Sequence, residues 1–169
     1  LETLPSNEMR SGLAEMLKHG LIYDKKYWDK LKDLNNLNTD DLDELIKESI
    51  EIKNKIVSED LTENGIRKSL NFGHTLGHAI ESYFLESEDK KSLLHGEAIA
   101  VGMILESFLS LKLNLISNEE YAEIKYIITD VFEKVDFNEV DIKKIIDLLI
   151  FDKKNEFGKV QFALLNKIG

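Results

Sequence analysis

The scarcity of helix-breaking residues constrains the fold of this chain more than any other feature of its sequence. One proline, Pro5, and nine glycines occur in 169 residues. Glycine and proline build the tight turns of all-β folds and interrupt helices, so a chain this poor in them favours helices. Apolar residues also recur at helical spacing, as at Leu42, Leu45 and Ile46. We therefore expect a mainly α fold in which residues 1–169 form one multi-helix domain.

Apolar periodicity and capping signals predict seven helices, over about residues 7–19, 25–34, 39–58, 66–84, 93–113, 118–134 and 140–151. Gly20 is expected to end the first helix, and an Asn35-Asn36 turn to close the second. Ser117 and Glu120 form a capping-box pattern at the start of the sixth. The one segment with strand character is 159–165, which predicts a short strand or hairpin near the C-terminus.

Composition excludes several classes of function. The chain carries 22 Lys and Arg against 32 Asp and Glu, a net charge of −10, which argues against nucleic acid as its partner. The absence of cysteine excludes a disulfide scaffold, a Cys-based zinc site and a thiol nucleophile. The longest apolar run, 98–105, is far shorter than the roughly 20 residues needed to cross a bilayer. The sequence contains no Gly-rich phosphate-binding loop. We expect a cytoplasmic protein without a membrane partner.

The predicted helix over 66–84 has an unusual polar face. One stripe about 80° wide on this helix contains Arg67, Asn71, His74, His78 and Glu81. Surface helices usually present Lys and Glu to water, so this combination points to a site. Gly73 and Gly77 each cost roughly 1 kcal/mol inside a helix relative to Ala. Their presence predicts that another backbone or a ligand comes close.

Histidines are the strongest ligand candidates in the chain. His74, His78 and His95 fall within 22 residues, and His95 opens the most apolar helix, where we expect it to point inward. The metalloprotease pattern His-Glu-x-x-His is absent, so a metal would need ligands from elsewhere. The alternative is that His74 and His78 share a solvated face by chance and that His95 has a structural role.

Weaker signals come from charged residues on other helices. Glu15 and Lys18 lie three residues apart, as an ordinary surface ion pair would. Lys53 borders an apolar stripe and either extends along it to solvent or places a cation in a cleft. A Glu with two His is a ligand set of catalytic zinc, and neighbouring Lys and Arg suit a phosphorylated or carboxylated substrate.

Four segments together resemble a known family. They are 4–18 (LPSNEMRSGLAEMLK), 67–81 (RKSLNFGHTLGHAIE), 94–98 (LHGEA) and 152–154 (DKK). They resemble the C-terminal, metal- and substrate-binding domain of the 3-dehydroquinate synthases, which belong to the sugar-phosphate cyclase superfamily. The resemblance covers essentially the whole chain, and the 67–81 block is its most specific part.

The resemblance implies a lyase of the shikimate pathway, which leads to chorismate and the aromatic amino acids. Such an enzyme converts 3-deoxy-D-arabino-heptulosonate 7-phosphate to 3-dehydroquinate and phosphate by transient NAD oxidation, phosphate elimination and aldol cyclisation. It uses a divalent metal, zinc or cobalt, and NAD held mainly by an N-terminal domain that this chain lacks. We therefore expect the chain alone to be inactive, its partner to be that domain, and the full enzyme to be a homodimer.

Two alternatives to this family assignment stay open. One is another sugar-phosphate cyclase, such as a 2-deoxy-scyllo-inosose synthase-like enzyme, which shares the metal ligands and NAD. The other is a non-enzymatic helical module that binds metal or a protein partner.

The resemblance also implies roles for individual residues. Glu15, His74 and His95 are the expected metal ligands, while His78 contacts substrate and takes part in proton transfer. Glu63 is the expected proton acceptor. The expected substrate-binding residues are Lys18, Lys53, Arg67, Asn71 and one of Lys153 and Lys154. Thr3 lies where the family's chain passes NAD, and the 87–93 loop before His95 is somewhat long for the family.

Overall fold

The structure, a computed structural model, describes residues 6–32, 39–151 and 160–169. Within these ranges it contains seven α-helices and one 3₁₀ helix, so the predicted mainly α fold is confirmed. The α-helices are α1 (Ser6–Tyr23), α2 (Lys25–Leu31), α3 (Thr39–Glu59), α4 (His74–Glu86), α5 (His95–Lys112), α6 (Asn118–Val131) and α7 (Glu139–Phe151), and the 3₁₀ helix is Ile66–Asn71.

The central element is α5, which packs against α1, α4 and α6. Its Ile99 and Met103 are fully buried in the main core. Gly102 lets the backbones of α5 and α4 approach closely, because a Cβ there would collide with the carbonyl oxygen of Gly73. The main core also contains Leu17, Leu21, Trp28, Ile56, Phe72, Ile124 and Ile128. This packing sets the start of α4 against the middle of α5.

A second apolar cluster joins α4 to α7. Ile80 and Phe84 of α4 pack there with Ile145 and Leu149 of α7. At its edge, Asp141 accepts hydrogen bonds from the Tyr83 hydroxyl (2.6 Å) and from the Lys90 ammonium. Since Lys90 lies in the loop before α5, this carboxylate links the end of α4, the loop and α7.

Gly20 does not end the first helix, so that prediction is wrong. Helix α1 continues to Tyr23, and α2 packs against it. A Cβ at position 20 would lie 3.0 Å from the Cα of Trp28, tighter than nearly all Cβ contacts in proteins. The indole of Trp28 is fully buried and donates to Glu123 at 2.7 Å. Gly20 is therefore a close-packing position rather than a helix end. The predicted Asn35-Asn36 turn lies outside the described residues.

The single helix predicted over 66–84 is interrupted. Residues 66–71 form the 3₁₀ helix, Phe72 is extended, and Gly73 adopts a left-handed conformation with φ 77° before α4 begins at His74. Left-handed backbone favours glycine because a side chain there is strained. The interruption turns Arg67 and Asn71 away from the axis of α4 and divides the predicted polar stripe.

The strand predicted over 159–165 is not formed in the described part, 160–165. Helix side chains bind two of its backbone groups. The Gln161 carbonyl accepts from the Thr75 hydroxyl at 3.1 Å, and the Leu165 N–H donates to the Ser110 hydroxyl at 3.0 Å. A β-strand needs backbone hydrogen bonds to a neighbouring strand, and this segment bonds to helix side chains instead. Among the described residues, no helix is both long and apolar enough to cross a membrane.

Candidate metal and substrate site

The N-terminal ends of α4 and α5 bring three histidines together. The ring centroids of His74, His78 and His95 lie 5.2 to 5.9 Å apart. One nitrogen from each ring lies within 4.8 Å of the others, close enough to hold a metal ion. Sequence spacing alone placed His74 and His78 one turn apart, and α4 confirms it. The inward orientation expected for His95 is wrong, since its side chain is 43 % exposed at the first residue of α5.

His74 is held in a ligand-competent form. Its Nδ1 donates to the Phe72 carbonyl at 3.1 Å, so the lone pair lies on Nε2. Nε2 lies 3.7 Å from a carboxylate oxygen of Glu15. Burial, together with the charge of Lys18, lowers the pKa of His74 to about 4. The imidazole is therefore neutral at physiological pH, as a metal ligand must be.

The carboxylate of Glu81 orients His95. The sequence predicted Glu81 on the polar stripe but did not indicate a role for it. Glu81, two turns into α4, accepts from His95 Nδ1 at 3.0 Å. This leaves the Nε2 of His95 available, and carboxylate partners of this kind orient metal-ligating histidines in many proteins. The signal for Glu81 was its position on the helix face that carries His74 and His78.

Glu15 and Lys18 form the predicted ion pair, but it is not a surface pair. The Lys18 ammonium donates to both carboxylate oxygens of Glu15, at 2.8 and 2.9 Å, and Lys18 is only 2 % exposed. Burial alone would raise the pKa of Glu15, but Lys18 outweighs it and keeps that pKa below its ordinary value. Burial also lowers the pKa of Lys18, against the opposing effect of Glu15. The pair brings a carboxylate and a cation to the histidines.

A cavity of about 280 Å³ lies between α1 and α3, beside this pair. Glu15 and Lys53 both line it, and Lys53 is exposed there, so the cleft and the solvent interpretations of Lys53 meet at the same opening. His19, which sequence reasoning missed, lines the same cavity, is 2 % exposed and forms a 2.8 Å hydrogen bond with the Ser49 hydroxyl. The only feature of the sequence that could have indicated His19 as a site residue is its position directly after Lys18.

Glu63, Arg67 and Asn71 form a separate cluster. The Asn71 amide donates to Glu63 at 3.0 Å, and the Arg67 guanidinium lies 3.8 Å from its other oxygen. Asp60 shapes the preceding turn by accepting from the backbone N–H groups of residues 64, 65 and 67. Glu63 itself has φ 57°. A non-glycine residue in this conformation costs free energy and is common at functional sites.

The remaining predicted site residues are Thr3, Lys153 and Lys154. All three lie outside the described residues, as does Asp152.

The donor atoms fit a divalent metal such as zinc. Imidazole nitrogens and a carboxylate oxygen are zinc ligands, and a catalytic zinc uses three of them with one open position. Among the described residues, the group whose donor atoms all lie within 4.8 Å of one another is the three histidines. Glu15, the predicted third ligand in place of His78, approaches His74 at 3.7 Å. The fold and these donors define a helical domain with a candidate divalent-metal site.

Comparison with known families identifies this domain. A family model of the 3-dehydroquinate synthase C-terminal domain matches residues 12–155. The chain belongs to this family, which confirms the family predicted from its motifs. It is 40 % identical over 171 residues to the 3-dehydroquinate synthase of Parabacteroides distasonis and 38 % identical over 175 residues to that of Helicobacter pylori strain P12. Both matches cover the whole chain, which spans about half (48 %) of each relative.

Solved structures share the fold. A 2-deoxy-scyllo-inosose synthase, solved with carbaglucose-6-phosphate, NAD⁺ and Co²⁺, superposes with a TM-score of 0.78 at 28 % identity, over all of this chain and 47 % of that one. The 2-epi-5-epi-valiolone synthase of Streptomyces hygroscopicus, solved with NAD⁺ and Zn²⁺, gives 0.78 at 23 % identity, over 99 % of this chain and 47 % of that one. The second likeness supports the fold alone.

Proposed function

We propose that the chain is the metal- and substrate-binding half of a 3-dehydroquinate synthase, which acts on 3-deoxy-D-arabino-heptulosonate 7-phosphate together with an N-terminal NAD-binding domain. The observation that carries this proposal is the meeting of α1, α4 and α5, where Glu15 lies 3.7 Å from His74 beside His95. Full-length relatives are about twice as long as this chain, which supports a second domain. We further propose that the full enzyme is a homodimer.

Glu15, His74 and His95 would hold the metal. A bound divalent metal would supply a Lewis acid for a substrate hydroxyl, and NAD would accept the hydride from the carbon that bears this hydroxyl. His74 and His95 each have Nδ1 committed to a hydrogen bond, so both present Nε2. Glu15 needs only one oxygen as a ligand and can keep the other on Lys18.

His78 is proposed as a proton-transfer group rather than a ligand. It lies one turn after His74 on α4, and its ring centroid is 5.8 Å from that of His95. Its closeness to both other histidines supports a role in which its imidazole acts on a substrate bound at the metal. Imidazole is the side chain best suited to exchange protons near neutral pH.

Glu63 is proposed as the proton acceptor, and Arg67 and Asn71 as its supports and substrate contacts. The Asn71 amide fixes one carboxylate oxygen, and the Arg67 guanidinium stabilises the charge on the other. Lys18 and Lys53 add cations near Glu15 that suit an anionic substrate. We also propose substrate contacts for Lys153 or Lys154, and an NAD contact for Thr3.

The proposal is tested by phosphate release from the full-length enzyme. We expect turnover of the heptulosonate phosphate and none of glucose 6-phosphate, together with loss of activity in H74A. Release from glucose 6-phosphate alone would instead favour a 2-deoxy-scyllo-inosose synthase-like activity, the second candidate, which the 0.78 TM-score supports. The chain comprising residues 1–169 is expected to show no turnover by itself.

A further inference from the structure

Glu106 is a buried carboxylate in the middle of the apolar helix α5. It is fully buried, and its two oxygens accept from backbone N–H groups at the start of α4: Gly73 at 2.7 Å and Leu76 at 3.1 Å. A charge in such a place is expensive unless hydrogen bonds compensate for lost water. Glu106 therefore caps the N-terminus of a different helix.

Helix α4 cannot supply this cap from its own sequence. The usual capping side chain would stand at position 73, where the residue is glycine in a left-handed conformation. A Cβ at that position would lie 2.5 Å from Cγ and 3.0 Å from the backbone nitrogen of Met103. The first N–H groups of α4 thus need an acceptor from elsewhere, and a negative charge at a helix N-terminus is electrostatically favourable.

The same two helices carry the histidines. His74 is the first residue of α4, and His95 is the first residue of α5. Glu106 follows His95 by 11 residues, about three turns, so both lie on the same side of α5. Helix α5 therefore carries His95 and, through Glu106, also holds the start of α4, which carries His74.

We propose that Glu106 is a positioning residue: it fixes the start of α4 against α5 so that the ring nitrogens of His74 and His95 stay close enough to bind one metal ion. This inference rests on the proposed metal site. A cap with only a structural role would change stability, whereas a positioning residue also changes metal affinity in molecules that remain folded. The raised pKa of Glu106, about 7 because of its burial, fits a carboxylate surrounded by backbone and apolar groups.

The test is E106Q in this chain, titrated with Co²⁺ at pH 7.5 and 25 °C, with folding verified by circular dichroism. Glutamine keeps the shape but offers one acceptor in place of two, and its NH₂ group would face a backbone donor. We expect Co²⁺ affinity to fall about tenfold or more, as for other outer partners of metal ligands. The control I128A, in the core of α6, should lower the unfolding midpoint yet keep Co²⁺ affinity within twofold.

Two readouts separate this inference from the proposed function. In metal-free protein, E106Q should shift the amide signals of Gly73 and Leu76 and the ring nitrogen signals of His74, while I128A should not. If wild type binds no Co²⁺, the metal site fails, and these ring signals still decide whether Glu106 positions His74. If E106Q does not fold, E106D, which keeps the charge but has a shorter reach, takes its place. Unchanged His74 signals, or Co²⁺ affinity within twofold of wild type, would overturn the inference.

Discussion

The two ends of α4 are held by two buried carboxylates with different partners. Glu106 holds the start of the helix through backbone N–H groups, and burial raises its pKa to about 7. Asp141 holds the far end through Tyr83 and Lys90, and the hydrogen bonds from Lys90, Tyr83 and Asn138 lower its pKa to about 2. The far end is arranged for stability. At the start, beside His74, the buried carboxylate meets backbone N–H groups in place of a cation.

The largest expected effect is a pH dependence that separates these carboxylates. The pKa of Glu106 is raised from 4.5 to about 7, so its stabilising contribution is complete below pH 4.5 and is lost as pH rises through 7. Between pH 4.5 and 8, wild type should lose about 3 kcal/mol of unfolding free energy relative to E106Q. Urea denaturation of both proteins across this range measures it, and a constant difference would refute the assignment.

Asp141 should respond in the opposite direction. Its pKa is lowered from 3.8 to about 2, so its contribution is present above pH 3.8 and is lost as pH falls through 2. At pH 7, D141N should lower Tm by roughly 5 °C, because the Lys90 ammonium and the Tyr83 hydroxyl lose a charged acceptor.

The matched control for D141N is D147N, at an exposed position of the same helix, for which we expect a Tm within about 1 °C of wild type. Co²⁺ affinity of D141N should stay within twofold of wild type, because Asp141 holds the end of α4 away from the histidines. Weakened Co²⁺ binding in D141N would contradict the claim that only the start of α4 affects the metal site.

The smallest expected effect concerns the partner of His95. Removing the carboxylate that orients His95, in E81A, should lower Co²⁺ affinity about tenfold with little change in Tm. E86A, at an exposed position on the same helix, is the control and should leave the affinity unchanged. Isothermal titration calorimetry resolves this difference, and equal affinities for E81A and E86A would remove Glu81 from the site.

Local sequence signals predicted most of the helices. The capping box of Ser117 and Glu120 forms at the start of α6, with bonds of 2.8 and 3.1 Å between the two residues. The two largest errors, the end of the first helix and the continuous helix over 66–84, both involve glycines whose role depends on distant residues. Trp28 of the next helix leaves no room for a side chain at Gly20. Met103 of α5 does the same at Gly73, whose backbone N–H also donates to Glu106. A periodic pattern contains no information about such contacts.

In the candidate site, too, local spacing was predictable from the sequence and contacts between distant residues were not. Helical spacing was enough to place His74 with His78, because both lie within α4. It wrongly added Arg67 and Asn71 to the same face, since the interruption at Gly73 separates them. The approach of Glu15 to His74 joins residues 59 positions apart, and only the family resemblance predicted it. The burial of Lys18 follows from tertiary packing, which an i, i+3 spacing does not specify.

The central claim is that Glu15, not His78, completes the metal site with His74 and His95. Co²⁺ titration of E15Q and H78Q, each verified as folded, tests it most directly. We expect E15Q to lose at least about tenfold in affinity because it removes a charged ligand, and H78Q to stay within about threefold of wild type. Reduced affinity in H78Q with wild-type binding in E15Q would contradict this assignment and show that the three histidines hold the metal.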